Sequence, residues 1–138
     1  MSSETPTSPP SARPTRVLVV EDEIEVMNVL TELLTRHGYE VVPARNGVAA
    51  MVAFTAPEPE SPHVVLLDLG IPLESGVSVL SFLRNVMGSG LPVVILTGLT
   101  DPEQEATARA MGVSDYLRKP ASPQHILAAI SAARASST

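Results

Sequence analysis

The fold is decided by two stretches, RVLVVEDE at residues 16–23 and VVLLDLGIP at residues 64–72. Each begins with a short run of Val and Leu and then turns abruptly acidic, at Glu21-Asp22-Glu23 in the first and at Asp68 in the second. A continuous apolar run of this length is typical of a strand that helices cover on both faces. The two stretches therefore predict buried parallel strands that carry charge at their carboxyl ends.

Three further apolar runs follow the same plan, at Val41–Val42, Val93–Leu96 and, more weakly, Val113–Leu117. Between the five runs lie stretches with helical spacing and helix-ending residues, such as Gly38 after the first and the Asp101-Pro102 start of the fourth. The expected helices cover residues 24–37, 46–55, 77–87, 101 to about 112, and 123–133. This alternation predicts an α/β fold of five βα units, with a parallel sheet and right-handed crossovers.

The chain of 138 residues is long enough for one domain. Residues 1–15 consist mainly of Ser, Thr and Pro, and such a segment buries too little apolar surface to offset its ordering entropy. We therefore expect a disordered tail over residues 1–15, a folded domain over residues 16–134, and a second short disordered tail over residues 135–138.

Composition excludes several classes of function. The chain has no cysteine, which removes disulfides, thiolate nucleophiles and cysteine metal sites. A net charge of −6 argues against direct nucleic-acid binding, which depends on Lys and Arg. No apolar run has transmembrane length and no secretory signal is visible. We expect a cytoplasmic domain that does not bind membranes.

Polar side chains follow four of the five strands, at the edge where parallel αβ sheets place their chemistry. Three carboxylates about 5 Å apart repel by roughly 3 kcal/mol per pair at an effective dielectric near 20, so Glu21, Asp22 and Asp68 need a partner. Oxygen ligands of this kind suit Mg²⁺. Lys119, the only lysine in the chain, and Thr97 supply a cation and a hydroxyl. A carboxylate nucleophile, a metal, a cation and a hydroxyl are the parts required for phosphoryl transfer.

Four blocks of this sequence resemble the receiver domains of response regulators, the CheY-like superfamily of two-component signalling. They are RVLVVEDE at 16–23, VVLLDLGIP at 64–72, PVVILTG at 92–98 and GVSDYLRKP at 112–120. The blocks occur in the family's order and spacing, and the resemblance covers about residues 16–133. It implies a flavodoxin-like sheet with strand order 2-1-3-4-5 and helices on both faces.

The resemblance also implies the acceptor and its metal. Asp68 would be the phosphoacceptor. Glu21 and Asp22 would hold Mg²⁺ with Asp68, directly or through water, and the backbone carbonyl of Gly70 would be a further ligand.

Three other residues take roles by the same resemblance. Thr97 would bond the phosphoryl group and shift toward it, while Lys119 would pair with that group. The Lys119–Pro120 peptide is cis in family members. Tyr116 matches the family's aromatic switch, which turns inward when the threonine moves.

Partners follow from the resemblance as well. The phosphoryl donor would be a sensor histidine kinase or a histidine phosphotransfer protein. The output would pass through the fourth helix, fifth strand and fifth helix to a downstream effector protein, or to a C-terminal output domain missing from this chain. The domain would be a signalling protein that promotes its own phosphorylation and dephosphorylation, and not an enzyme acting on other substrates.

Three alternatives remain open at this stage. A phosphohydrolase that forms an aspartyl-phosphate would usually carry an acid/base Asp at the position of Gly70. A flavodoxin-like or nucleotide-binding module would cradle phosphate after the first strand, where this chain has Glu21-Asp22-Glu23 and no glycine-rich motif. A receiver-shaped interaction module that is never phosphorylated would usually lack one of the acidic, threonine or lysine residues.

Overall fold

The computed structural model describes residues 13–136, and in them helices and strands alternate as the sequence predicts. Their bounds are β1 Arg16–Val20, α1 Ile24–Arg36, β2 Glu40–Ala44, α2 Gly47–Phe54, β3 Val64–Leu67, α3 Gly76–Ser81, β4 Val93–Thr97, α4 Pro102–Ala110, β5 Asp115–Arg118 and α5 Pro123–Ser136.

The strands form one parallel sheet in the order β2-β1-β3-β4-β5, which confirms the expected topology. Val17 is in register with Val41 on one side and Val64 on the other, so the carboxyl ends of β1, β2 and β3 lie at one edge. After β2 the chain crosses to the other side of β1 and forms β3 there. The site described below lies at the carboxyl ends of β1 and β3, where this switch in strand order opens a crevice.

Successive strand residues point to opposite faces, and both faces are buried. Leu18, Val20, Val65 and other residues pack against the helices that follow β2, β3 and β4. Val17, Val19 and Leu66 pack on the other face, against α1 and α5. Two apolar layers around one sheet explain why the strands read as continuous runs of Val and Leu instead of alternating patterns.

The starts of α2, α3 and α4 follow capping residues in the sequence. Asn46 and Ser75 accept hydrogen bonds from the backbone N–H groups of Ala49 and Ser78, and each replaces an intrahelical partner that the first turn lacks. Asp101 caps α4 in the same way and is followed by a proline at the first helical position, as the sequence analysis expected.

The third helix differs from the expected single span over residues 77–87. α3 ends at Ser81 and continues as a π-helical turn over Phe82–Val86, closed by the Met87 N–H to Phe82 carbonyl bond at 3.0 Å. This turn carries Arg84, whose guanidinium donates to four backbone carbonyls, those of Ser89, Leu91, Met111 and Gly112. Arg84 therefore ties the α3–β4 loop to the end of α4.

The structure describes only the inner ends of the two predicted tails. Residues 1–12 and 137–138 lie outside the described residues. At the other end of the first tail, the Thr15 carbonyl accepts from the Glu40 N–H at 2.9 Å, so sheet hydrogen bonding begins before residue 16. α5 runs to Ser136, whose hydroxyl donates to the Ala133 carbonyl at 3.1 Å. Residues 135–136 therefore belong to the last helix and not to a tail.

Candidate functional site

Asp68 follows β3 directly and is 8% exposed. Its Oδ1 accepts hydrogen bonds from the Thr97 hydroxyl at 2.7 Å and from the Gly70 N–H at 3.0 Å, while its Oδ2 accepts from Lys119 Nζ at 3.0 Å. Three donors on one carboxylate fix its orientation and satisfy its oxygens in a largely buried position.

Lys119 joins two acidic residues. Besides Asp68, its Nζ donates to Glu21 Oε1 at 2.7 Å. Burial alone would lower the pKa of Lys119, but the hydrogen bonds and charges of Glu21 and Asp68 outweigh it and raise the pKa. The ammonium therefore stays protonated at neutral pH and is the direct counter-charge of the site.

Glu21 is almost fully buried at the end of β1, and both of its oxygens are used. Oε1 faces Lys119, and Oε2 accepts from the Glu23 N–H at 3.1 Å. The neighbouring Asp22 is only partly buried, and its backbone carbonyl accepts two bonds from the Arg45 guanidinium. Within residues 13–136, no donor is bonded to the Asp22 carboxylate, so this carboxylate is available to a ligand.

The three carboxylates predicted as a metal site do lie together. One oxygen each from Glu21, Asp22 and Asp68 fall within 4.8 Å of one another. Two of them, Asp22 and Asp68, border a pocket of about 290 Å³, whose lining also includes Glu23, Gly70, Gly98, Leu99 and Lys119. Three carboxylates against one ammonium leave an excess of negative charge, and an all-oxygen donor set beside an open pocket fits a hard divalent cation.

Thr97 is fully buried at the end of β4 and connects the acceptor to the loop that follows. Its hydroxyl donates to Asp68 and accepts from the Leu99 N–H at 3.2 Å. The Leu99 side chain lies over Gly70, because a Cβ built on that glycine would be 3.4 Å from Leu99 Cγ. Leu99 thus covers one side of the pocket.

Tyr116 lies outside the pocket, on the face of the sheet that packs against α4. Its side chain is 9% exposed, and the guanidinium carbons of Arg109 and Arg118 lie 4.8 and 5.5 Å from the centre of its ring. Burial raises the pKa of the Tyr116 hydroxyl, and the charge of Glu105 adds to that shift. The structure therefore places the Tyr116 side chain inward, and Tyr116 does not line the acceptor pocket.

The structure brings together six of the seven residues that the sequence analysis named, namely Glu21, Asp22, Asp68, Gly70, Thr97 and Lys119, and the Lys119–Pro120 peptide is cis as expected. Glu105, which binds both Arg109 and Arg118, was not predicted from the sequence. The i,i+4 spacing of Glu105 and Arg109 was a signal for one of these pairs. The pair with Arg118 crosses from α4 to β5 and has no local signature.

The response regulator receiver domain model matches residues 17–131, and the chain belongs to this family. The transcriptional regulatory protein KdpE of Mycobacterium tuberculosis is 40% identical over 119 residues, which are 86% of this chain and 50% of KdpE. The probable transcriptional regulator ycf27 of Cyanophora paradoxa is 37% identical over 115 residues, 83% of this chain and 46% of that protein. This chain therefore spans about half the length of these curated relatives.

Solved structures agree with the family. A receiver domain protein from Clostridium thermocellum is 30% identical, with a TM-score of 0.80, and the match covers 89% of this chain and 96% of that one. A CheY-like receiver domain from Methanospirillum hungatei, 23% identical with a TM-score of 0.80 over 89% of this chain and 95% of that one, shows the same fold. The molecule is a receiver domain of two-component signalling, a class whose members accept a phosphoryl group.

No helix in the part of the chain that the structure describes is both long and apolar enough to cross a membrane.

Proposed function

We propose that Asp68 is the phosphoacceptor and receives its phosphoryl group from a phosphohistidine of a sensor histidine kinase or a histidine phosphotransfer protein. One oxygen of the Asp68 carboxylate forms a bond to phosphorus while the bond from phosphorus to the donor imidazole nitrogen breaks. The observation that carries this proposal is the position of the Asp68 carboxylate, oriented by Thr97, Gly70 and Lys119 and bordering the open pocket.

Lys119 and Thr97 can also bind the phosphoryl group once Asp68 carries it. Lys119 keeps its proton because its pKa is raised, so its ammonium can pair with a phosphoryl oxygen after transfer. The Thr97 hydroxyl has one hydrogen, which it now donates to Asp68 Oδ1. Rotation of that hydroxyl toward a phosphoryl oxygen would exchange one acceptor for another in a fully buried position.

We further propose that Asp22, Asp68 and the carbonyl of Gly70 hold Mg²⁺ directly, and that Glu21 acts through water. The division follows from position, because Asp22, Asp68 and Gly70 line the open pocket, whereas Glu21 is almost fully buried and does not line it. When bound, Mg²⁺ supplies positive charge that offsets the repulsion among the carboxylates and the phosphoryl oxygens.

The phosphodonor has an apolar surface available beside the acceptor. A groove of about 330 Å³ between α1 and the β5–α5 loop is lined mainly by apolar side chains and reaches Lys119. Its wall includes Val29, which is about two-thirds exposed, and the nearby Ile24 is half exposed. We assign this groove to the kinase or phosphotransfer protein, since a donor seated there lies next to the pocket.

The output is proposed from the relatives, which are named as transcriptional regulators and are about twice as long as this chain. The domain would act in the cytoplasm on a C-terminal output domain or a separate effector protein, through the surface of α4, β5 and α5. We propose a signalling role without turnover of other substrates. Gly70 offers no side chain for the acid/base step of a phosphohydrolase.

Intact-mass measurement after incubation with acetyl phosphate and Mg²⁺ tests the proposal. We expect the wild-type chain to gain one phosphoryl group and Asp68→Asn to gain none. Asp115→Asn is the matched control, because Asp115 begins β5 at the opposite edge of the sheet, and it should be labelled like the wild type. Labelling of Asp68→Asn at the wild-type rate would contradict the assignment.

A further inference from the structure

Glu105 on α4 is at the centre of an ion-pair network on the face of the sheet that carries Tyr116. Its two carboxylate oxygens accept hydrogen bonds from different arginines, Oε2 from Arg109 Nε at 2.9 Å and Oε1 from a terminal nitrogen of Arg118. Both guanidinium groups lie over the Tyr116 ring. One carboxylate thus holds two cations, and the two cations hold the ring between α4 and β5.

This network is connected to the acceptor by a continuous series of hydrogen bonds. Arg118 also donates to the carbonyl of Leu99, at 3.4 Å. The N–H of Leu99 donates to the Thr97 hydroxyl, which donates to Asp68 Oδ1. The β4–α4 loop is therefore bonded at its start to the acceptor site and at the Leu99 carbonyl to the surface network.

We propose that Glu105 is a positioning residue: by holding Arg118 on the Leu99 carbonyl, it favours the arrangement in which Thr97 donates to the unmodified Asp68. The inference rests on the proposed function of Asp68. If Thr97 turns toward a phosphoryl oxygen, its oxygen leaves the place where the Leu99 N–H now finds it. The loop must then follow, and the Leu99 carbonyl moves relative to Arg118. A network that stabilises only the first arrangement makes phosphorylation less favourable, by the free energy that the network contributes to that arrangement.

Another ion pair of the same type lacks these connections. Glu32 and Arg36 form an i,i+4 pair on α1, with side chains 66% and 72% exposed, and the Glu32 carboxylate binds one arginine. The Glu105 side chain is 22% exposed and is shared by two arginines. The hydrogen bond from Arg109, together with the charge of Arg118, lowers the pKa of Glu105, so the carboxylate is ionised at neutral pH.

The experiment compares Glu105→Gln with Glu32→Gln in a Tyr39→Phe background. Tyr39→Phe leaves Tyr116 as the single tyrosine of a chain without tryptophan, so tyrosine emission reports Tyr116 alone. Beryllofluoride with Mg²⁺ is titrated as a phosphoryl mimic, and its affinity is read from the amide NMR signal of Gly98, which borders the pocket.

We expect Glu105→Gln to bind beryllofluoride about two- to fivefold more tightly than the parent, a range set by what surface ion pairs contribute. Its Tyr116 emission without ligand should move toward that of the liganded parent, a change that a structural role would not produce. Arg118→Met, which removes the same bonds from the other side, should do the same. Glu32→Gln should change neither quantity.

Two results are distinguishable. If the parent binds beryllofluoride and Glu105→Gln binds it equally or more weakly, Glu105 does not oppose phosphorylation and the inference is wrong, while the function of Asp68 stands. If the parent neither binds beryllofluoride nor is labelled by acetyl phosphate, the proposed function itself fails, and the inference fails with it.

Discussion

The two edges of the sheet both carry charged residues but balance them differently. At the edge where the strands begin, the Arg16 guanidinium pairs with Glu40 at 2.8 Å and donates to the Ser61 carbonyl, and its backbone N–H donates to His63 Nδ1 at 2.8 Å. In this pair, one guanidinium faces one carboxylate. At the edge where the strands end, three carboxylates lie together, and one ammonium pairs with two of them, Glu21 and Asp68. The charges of the Arg16–Glu40 pair balance each other, whereas the second edge has an excess of negative charge that a bound cation can neutralise.

One glycine near each edge shows a difference in backbone packing. Gly76, the first residue of α3, is needed for space, because a Cβ there would lie 2.4 Å from Leu69 Cα and 2.7 Å from the Asp68 carbonyl oxygen. Gly90, in the loop before β4, has no atom within 4 Å of such a Cβ. The backbone is therefore close-packed at Gly76 and open at Gly90.

The largest expected effect comes from a substitution that disturbs the packing at Gly76. Gly76→Ala should destabilise the domain by about 3 kcal/mol, because backbone atoms cannot move aside as side-chain ends can. Gly90→Ala, the matched control, should change stability by less than about 0.5 kcal/mol. Urea unfolding followed by circular dichroism measures both. Equal effects of the two substitutions would mean that the two edges are packed alike.

The charge imbalance is tested next. Lys119→Met removes the ammonium and keeps most of its apolar stem, so the carboxylates should bind Mg²⁺ about tenfold more tightly. Arg16→Met is the control at the other edge and should leave Mg²⁺ affinity unchanged. Isothermal titration calorimetry gives both constants. Weaker Mg²⁺ binding by Lys119→Met would show that the ammonium is not the competitor of the metal.

A smaller effect concerns the lifetime of the phosphoryl group. Leu99→Ala removes the side chain that lies over Gly70, so water reaches the pocket more easily and dephosphorylation should accelerate about threefold. Loss of mass-labelled protein over time after removal of acetyl phosphate measures the rate. Val86→Ala, at an exposed position beyond α3, is the control. An unchanged lifetime in Leu99→Ala would exclude the shielding role.

The smallest effect belongs to the edge where the strands begin. Burial first, and then the charge of Arg134, lower the pKa of His63, while Glu58 and Glu40 act in the opposite direction. Neutral His63 accepts the Arg16 N–H, so its contribution to stability is present above the unfolded pKa of about 6.5 and is lost as pH falls through the lowered folded value.

His63→Asn retains an acceptor atom at the same branch of the side chain but does not titrate. We expect the stability difference between wild type and His63→Asn to shift against the wild type as pH falls from 8 to about 5.5. Chemical unfolding at both pH values measures it. A difference that stays constant with pH would show that His63 is not held neutral by the fold.

Strand positions and the acceptor edge were predictable because each rests on a local pattern. Val64–Leu67 is apolar throughout since both sheet faces are covered, and Asp68 breaks the run at the point where the strand leaves the core. Parallel topology then places Glu21, Thr97 and Lys119 at the same edge. The sequence therefore contained both the fold and the site, once the order of elements was recognised.

The remaining features depend on contacts that no local pattern displays. The four acceptors of Arg84 are backbone carbonyls from two separate segments, and the helical spacing of residues 77–87 does not distinguish the π-helical turn from a continuous α-helix. The Glu105 network depends on the position of α4 against β5. Such features are set by packing over long sequence separations, so they became visible only in three dimensions.

We propose that, of the carboxylates at this edge, Asp68 is the one that becomes phosphorylated. Borohydride reduction of the labelled protein converts an aspartyl phosphate into homoserine, and peptide mass spectrometry then locates the modified position. We predict homoserine at position 68, dependent on Mg²⁺ and on acetyl phosphate. Reduction product at Asp22 or Glu21, or at no carboxylate of this edge in protein that carries the label, would contradict the account.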